Sequence, residues 1–391
     1  MSAGGLRDGD LSAADLPEVF RQFRARWQGR RQERFPATGD GIVLIGAGKV
    51  GQQFLAALQV SGIPVLAFTD NDPRRWGTTL RDTAVLAPAD AVRNFGRHAV
   101  FIVTIGAIGE GVAAIRSQFS ALGVETVLHF TEAIRLVPAI WREFFANPDA
   151  FVEADATRIV DAYTLFGDDE SRRHFITHLE WRTTLDPRSL SVPHYHDQYF
   201  PPEVIGPRHC SVFVDIGAYI GDTLLAAAAF AGPSLRRYYA FEPDPANYAE
   251  LETQAAALRD RRPDLQIVTR NTAIGADSRA IAFAGTGSAT SQMDANGSVE
   301  VSCTTLDTLE LPGATYVKID VEGAEHDVFR GGTEFFRRSK PTVAVATYHR
   351  PKDLFEIPLW LAAAAPEYRF HLRSHGDAGV DLVCYAVRDG C

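Results

Sequence analysis

Residues 213–223, reading Phe-Val-Asp-Ile-Gly-Ala-Tyr-Ile-Gly-Asp-Thr, gather several groups that could do chemistry. An apolar run over 212–214 leads into Asp215, then come Gly217 and Gly221, and a helical pattern begins near Thr223. A strand, a glycine turn and a helix N-terminus together cradle the polar part of a nucleotide-like ligand. Glycine lets the backbone approach that ligand where a side chain would collide with it. The loop carries Asp215 and Asp222 and no lysine, the opposite of a phosphate-gripping G-x-x-x-x-G-K-[ST] loop. Acids suit a cationic or hydroxyl-rich ligand. S-adenosylmethionine, with its ammonium and sulfonium, is both.

The elements that follow would serve the same ligand. Residues 238–243 read as a second strand ending at Glu242, 25 residues beyond Gly217. An acid there hydrogen-bonds ribose hydroxyls in such units. Residues 267–275 give a third strand and a turn, where Asn271 and Ala273 could hold an adenine edge. A fourth strand within 314–332 is tipped by Asp320 and Glu322, and a fifth within 342–358 by Tyr348 and His349. Open α/β sheets bind ligands at the carboxyl ends of their strands, and each of these residues stands at one.

The text QYFPPEV, FVDIGAYIGDT, AFEPDP, NTAIG, KIDVEGAE and YHRPKDLFEIP, in that order over about 199–386, resembles the FkbM family of S-adenosylmethionine-dependent methyltransferases. D-x-G-x-x-x-G alone occurs widely, but six motifs in register are specific. The resemblance implies a seven-stranded methyltransferase sheet and methyl transfer, usually to a hydroxyl oxygen. Carried over by motif, Asp215, Gly217, Ala218, Tyr219, Gly221, Asp222 and Glu242 line the cofactor, and Asn271 and Ala273 lie by the adenine. Asp320, Glu322 and His349 face the methyl-transfer site.

Plainer roles compete at each position. The glycines could serve the turn alone, and Glu322 or Asp320 could cap the next helix, since acids favour the positive helix N-terminus. Asn271 could be a turn residue, because Asn tolerates unusual backbone angles. His349 could be a histidine hydrogen-bonded at a strand end. If it acts, it is the first choice for general base, since imidazole titrates near neutrality. Glu322 is second, with Asp320 orienting the hydroxyl or the sulfonium. A sulfonium methyl is already activated, so alignment, worth up to roughly 7–11 kcal/mol, matters most. A base adds about a hundred- to ten-thousand-fold. Asp320, Glu322 and His349 could in principle serve a divalent ion, but the fold needs none, and activity is expected to survive chelation.

The chain is long enough, at 391 residues, for two ordinary domains. A net charge of −10 argues against nucleic acid or an anionic membrane as the main partner. The first forty residues are polar and Arg-rich with no signal-peptide block, and the longest apolar run, 224–231, is too short to span a bilayer. Cys210, Cys303, Cys384 and Cys391 lack metal-site spacing, so free thiols in a reducing cytoplasm are expected.

The N-terminal part reads as another unit. Residues 16–27 place Leu, Val, Phe, Phe and Trp at helical spacing, which suits core packing and leaves a homodimer open. Residues 41–62 are strand, glycine loop and helix, with Gly46, Gly48 and Gly51 forming G-x-G-x-x-G. The next strand ends at Asp70, where a ribose carboxylate belongs. Lys49 could meet a phosphate. Buried strands at 99–106 and 126–130 complete a small Rossmann-like domain of nucleotide-binding type, and the run 70–77 looks like the nucleotide-binding domains of sugar-modifying enzymes.

The expected organisation is α/β throughout: a helical segment at 1–40, a Rossmann-like domain at 41–135, a helical linker and lid at 136–200, and a methyltransferase domain at 201–391. In the linker, His194 and His196 point one way on an extended stretch and with Asp197 could bind a metal, though such pairs are more often ordinary loop histidines. Tyr199 and Phe200 are expected to cover the cofactor or substrate. The acceptor expected is a small molecule or glycan hydroxyl. Two alternatives stand beside this: a dehydrogenase or bifunctional enzyme binding NAD(P) or a nucleotide sugar at the N-terminal glycines, and a binding protein without catalysis.

Overall fold

A computed structural model describes residues 12–30, 41–96, 98–105, 110–133, 147–186, 189–190, 197–284, 292–293, 299–376 and 379–388. His194, His196, Gly106, Cys391, the side chain of Lys49 and residues 136–146 of the expected linker lie outside the described residues. The chain forms two compact units. One comprises Met1–Ala156, Ile176–Val192 and Asp377–Val380; the other comprises Thr157–Phe175, Pro193–Gly376 and Asp381–Cys391. The segment expected to stand apart over 136–200 is thus shared between them.

The first unit contains strands β1 (Gly41–Ile45), β2 (Val65–Thr69), β3 (Thr79–Leu80), β4 (Thr83–Leu86), β5 (Ala99–Val103) and β6 (Val127–His129), in the order β3-β4-β2-β1-β5-β6. All pairs are parallel except β3 with β4. The helix Leu16–Arg30 buries Leu16, Val19, Phe20, Phe23 and Trp27. That apolar stripe is therefore packed as core, with Phe20 against Phe151 and Trp27 in the cluster around β1.

The second unit contains β7 (Val212–Ile216), β8 (Arg237–Phe241), β9 (Gln266–Arg270), β10 (Ala273–Ile274), β11 (Arg279–Ala284), β12 (Gln292–Met293), β13 (Val299–Thr304), β14 (Tyr316–Ile319), β15 (Thr342–Ala346), β16 (Tyr368–Ser374) and β17 (Leu382–Arg388). Seven of them make the sheet β16-β17-β15-β14-β7-β8-β9, in which β17 alone runs against the others. Strands buried on both faces read as near-continuous apolar runs, which is how β7, β14 and β15 look apart from Asp215 in β7 and Lys318 in β14. At the centre, Phe213 stacks on Tyr238 and Tyr316 at 5.0 and 4.7 Å between ring centroids. A separate sheet, β10-β13-β11-β12, was not foreseen: its strands are short and half-polar, and they pair antiparallel except for β10 with β13.

Among the described residues no helix is long and apolar enough to cross a membrane. Cys210, Cys303 and Cys384 are buried free thiols.

Candidate active site

The strand order turns at β7 and β14, whose ends lie side by side with Ile216 opposite Ile319. Connections leave such a point in opposite directions and open a crevice at the carboxyl ends. Gly217 follows β7 with φ of +81°, and a Cβ there would lie 1.9 Å from the Asp320 carbonyl oxygen. No side chain fits. Gly221, at φ +89°, precedes the helix Asp222–Ala231.

Lys318 on β14 is the register partner of Asp215, and their charges meet at 3.2 Å. The lysine ammonium also donates to the Gly217 carbonyl, tying the glycine loop to the neighbouring strand. Burial alone would lower its pKa, but Asp215, Asp320 and Asp222 outweigh that and hold it above its ordinary value. Asp215 therefore departs from its expected place beside the cofactor. It is fully buried, accepts from the Tyr238 hydroxyl, and does not line the cavity. A lysine in the middle of a buried strand needs an acid, and Asp215 is that acid.

A cavity of about 260 Å³ opens beyond the loop. Of the expected cofactor residues, Gly217, Tyr219, Asp222, Glu242, Ala273 and Asp320 line it; Ala218, Gly221 and Asn271 do not. Ala218 is turned into the core at 1% exposure, and Gly221 shapes the helix start. Asn271 is spent on the turn, its amide donating to the carbonyls of Glu242 at 2.8 Å and Pro243 at 3.0 Å. Its neighbour Thr272 lines the cavity instead. Phe200 packs on Phe213 and Phe230 in the core, while Tyr199 reaches the cavity.

Glu242, just past β8, accepts from the Tyr219 backbone N–H through Oε2 and from that of Asp244 through Oε1, both at 2.9 Å. Burial pushes its carboxyl up to about 7 against the pull of those two donors. Tyr219 holds φ +47°, a left-handed conformation costing roughly 1–2 kcal/mol in a non-glycine residue, and its N–H is thereby aimed at the carboxylate.

Opposite, β14 ends at Asp320. The Tyr199 hydroxyl donates to its Oδ2 at 2.6 Å. Its Oδ1 faces His349 Nε2 at 3.5 Å, and Glu322 Oε2 lies 3.7 Å from the same nitrogen. The other ring nitrogen, Nδ1, bonds Glu325 Oε1 at 2.8 Å. Burial would lower His349, but Glu325 above all, then Asp320 and Glu322, raise it to about 10. The histidine expected as general base thus carries a proton at neutral pH and is not among the cavity-lining residues. It stands behind Asp320 and Glu322, which are.

Two acids escaped the sequence reading as separate groups. Glu325 is fully buried and anchored by the backbone N–H of Val321 at 3.1 Å, and its letter stood in the KIDVEGAE motif. Asp381 precedes β17, lines the cavity and holds φ +52°. Burial, with the charge of Asp320, pushes it up to about 6. No local pattern marked it.

In the first unit, the acid after β2 repeats the Glu242 arrangement. Asp70 accepts from the Ala47 N–H through Oδ2 and from the Asp72 N–H through Oδ1, both at 2.9 Å. Gly46 takes φ +106°, and a Cβ on Gly51 would meet the Gly46 carbonyl oxygen at 2.2 Å. A Cβ on Gly48 would meet nothing within 4 Å.

No curated protein matches the sequence. A crystal structure of methyltransferase FkbM from Methylobacillus flagellatus KT shares the fold, with a TM-score of 0.74 at 18% identity, covering 96% of this chain and 100% of that one. RSP, a Rex-family repressor, and RSP in complex with β-NADH each overlap 26% of this chain and 61% and 58% of theirs, at 18% identity. Their TM-score of 0.19 carries no argument. The family model described as methyltransferase FkbM domain matches residues 215–376, the stretch from the buried Asp215 through the Asp320 cluster. That stretch of the chain is a methyltransferase domain of the FkbM family.

Proposed function

We propose that the chain transfers a methyl group from S-adenosylmethionine to a hydroxyl of a sugar, glycan or natural-product small molecule. The observation that carries this is Glu242, fixed by two backbone N–H groups at the cavity wall. The Asn247 side chain is a third donor to this carboxylate, which leaves one lone pair for a ribose hydroxyl. The wall formed by Thr272, Ala273 and Ile274 suits an adenine face, and Asp222 suits an ammonium. When bound, S-adenosylmethionine supplies a methyl already activated by its sulfonium.

The remaining work falls to the acids at the far wall. Asp320 and Glu322 orient the acceptor hydroxyl, with His349 as the positioning residue behind them. Asp381, held at about 6, takes the hydroxyl proton. It is ionised above that pH and is a strong enough base to share the proton in the transition state. The test is transfer of an isotope-labelled methyl group to a panel of hydroxylated sugars and natural products, set against matched amines. Labelled ethers are expected. Label on amines alone would replace the hydroxyl reading.

A second reading concerns the first unit, where Asp70 repeats the Glu242 arrangement and Gly48 is required neither by its φ of −84° nor by packing. Both features suit a nucleotide or nucleotide sugar laid on the loop. Titration with NAD and nucleotide sugars, repeated on Gly48→Val, tests it. Binding abolished by the substitution supports a live site, and no binding leaves the unit a scaffold.

A further inference from the structure

The cluster behind the cavity wall is built like a cation site. His349 is 7% exposed in its side chain, and its Nδ1 is committed to Glu325 Oε1 at 2.8 Å. A carboxylate on one imidazole nitrogen fixes the tautomer and leaves the other nitrogen as a donor of its lone pair, the usual second layer of a metal site. That other nitrogen, Nε2, has no hydrogen-bond partner among the described residues. Neither has Asp320 Oδ1, although it lies buried 3.5 Å away. Tyr199 holds Asp320 by Oδ2, so Oδ1 is left turned toward the imidazole. Glu322 Oε2 lies 3.7 Å from the same nitrogen, on a residue held at φ +54°. Left-handed backbone outside glycine concentrates where function demands it. Asp320, Glu325 and His349 also offer ligand atoms that lie within 4.8 Å of one another.

We propose that Asp320 and His349 bind one hard divalent cation of the magnesium and manganese class, with Glu325 orienting the imidazole and Glu322 standing beside it. Octahedral sites with bonds near 2.1 Å set neighbouring ligand atoms about 3 Å apart and opposite ones about 4 Å apart. The 3.5 Å separation of Asp320 Oδ1 from His349 Nε2 falls between those limits. Carboxylate and imidazole ligands, without sulfur, select a hard to borderline ion. Several acids around one imidazole demand positive charge, and an ion supplies it in place of the imidazole proton. Asp320 and Glu322 both line the cavity, so the ion would stand at its wall. The site rests on side-chain geometry and holds whether or not the chain transfers methyl groups.

The full-length protein, stripped with a chelator, is titrated with Mn²⁺ while the free-ion electron paramagnetic resonance signal is followed. Saturable uptake of one ion per chain is expected, displaced by excess Mg²⁺. Asp320→Asn, which keeps the shape of the side chain, and His349→Ala should abolish saturable uptake. Glu325→Gln should weaken it about 10- to 100-fold, as loss of an orienting partner does. Thermal melting and S-adenosylhomocysteine binding are recorded on every variant, so a folding failure and a failed cofactor site each show separately. A folded wild type that takes up no Mn²⁺, or a folded Asp320→Asn that binds as wild type does, would overturn the site. Displacement by Zn²⁺ but not by Mg²⁺ would overturn the choice of ion.

Discussion

Glu242 is the cavity carboxyl proposed to hold the ribose. Burial holds it near 7, and a ribose is best held by the ionised form. Protonation therefore competes with the ligand as the pH falls. S-adenosylhomocysteine affinity should weaken by up to about tenfold per pH unit below 7 and level off above it, as calorimetry across pH 5–8 would show. An affinity that does not change over that range would mean another group holds the ribose. Asp381 is the proposed base. Asp381→Asn should cut turnover by roughly a hundred- to ten-thousand-fold while S-adenosylhomocysteine affinity stays within a factor of two to three. In the wild type, turnover should be lost as the pH falls through about 6, where Asp381 gains a proton. Unchanged turnover in Asp381→Asn would remove it from the mechanism.

Among the elements, β7 and β14 are joined by charge as well as by their ladder, because Lys318 spans Asp215 and the Gly217 carbonyl. Asp215→Ala leaves a buried ammonium uncompensated, a change that costs about 3–5 kcal/mol. It should lower the melting temperature sharply without removing any cavity contact. A melting temperature equal to that of the wild type would show the pair to be dispensable. The glycines of the first unit separate by the same logic. Gly51→Ala drives a Cβ toward the Gly46 carbonyl oxygen, whereas Gly48→Ala meets open space. Thermal melting should fall for the first and stay within about 0.5 kcal/mol of wild type for the second. What the sequence displayed at this scale was the ends of the parallel strands: Gly217, Glu242 and Asp320 follow apolar runs and could be placed by counting. What it hid was partnership across the fold. Asp215 looked like a ligand residue because its ion pair with Lys318 joins positions 103 apart. His349 looked like a base because Glu325, its fixed buried partner, lies 24 residues away in the chain.

Over the whole molecule, both α/β units were legible because each repeats a strand, a glycine turn and an acid at the next strand end. The β10–β13 sheet and the assignment of 157–175 to the second unit were not, since short half-polar strands and amphipathic helices do not announce what they pack against. The central claim is that the cavity beside Glu242 is a nucleoside site belonging to a methyl-transfer enzyme. Calorimetric titration of the intact chain with S-adenosylhomocysteine, repeated on Glu242→Ala, tests it most directly. Micromolar binding to the wild type, lost in the variant, is expected. A wild type that melts cooperatively and binds nothing, or a variant that binds as tightly as the wild type, would contradict it.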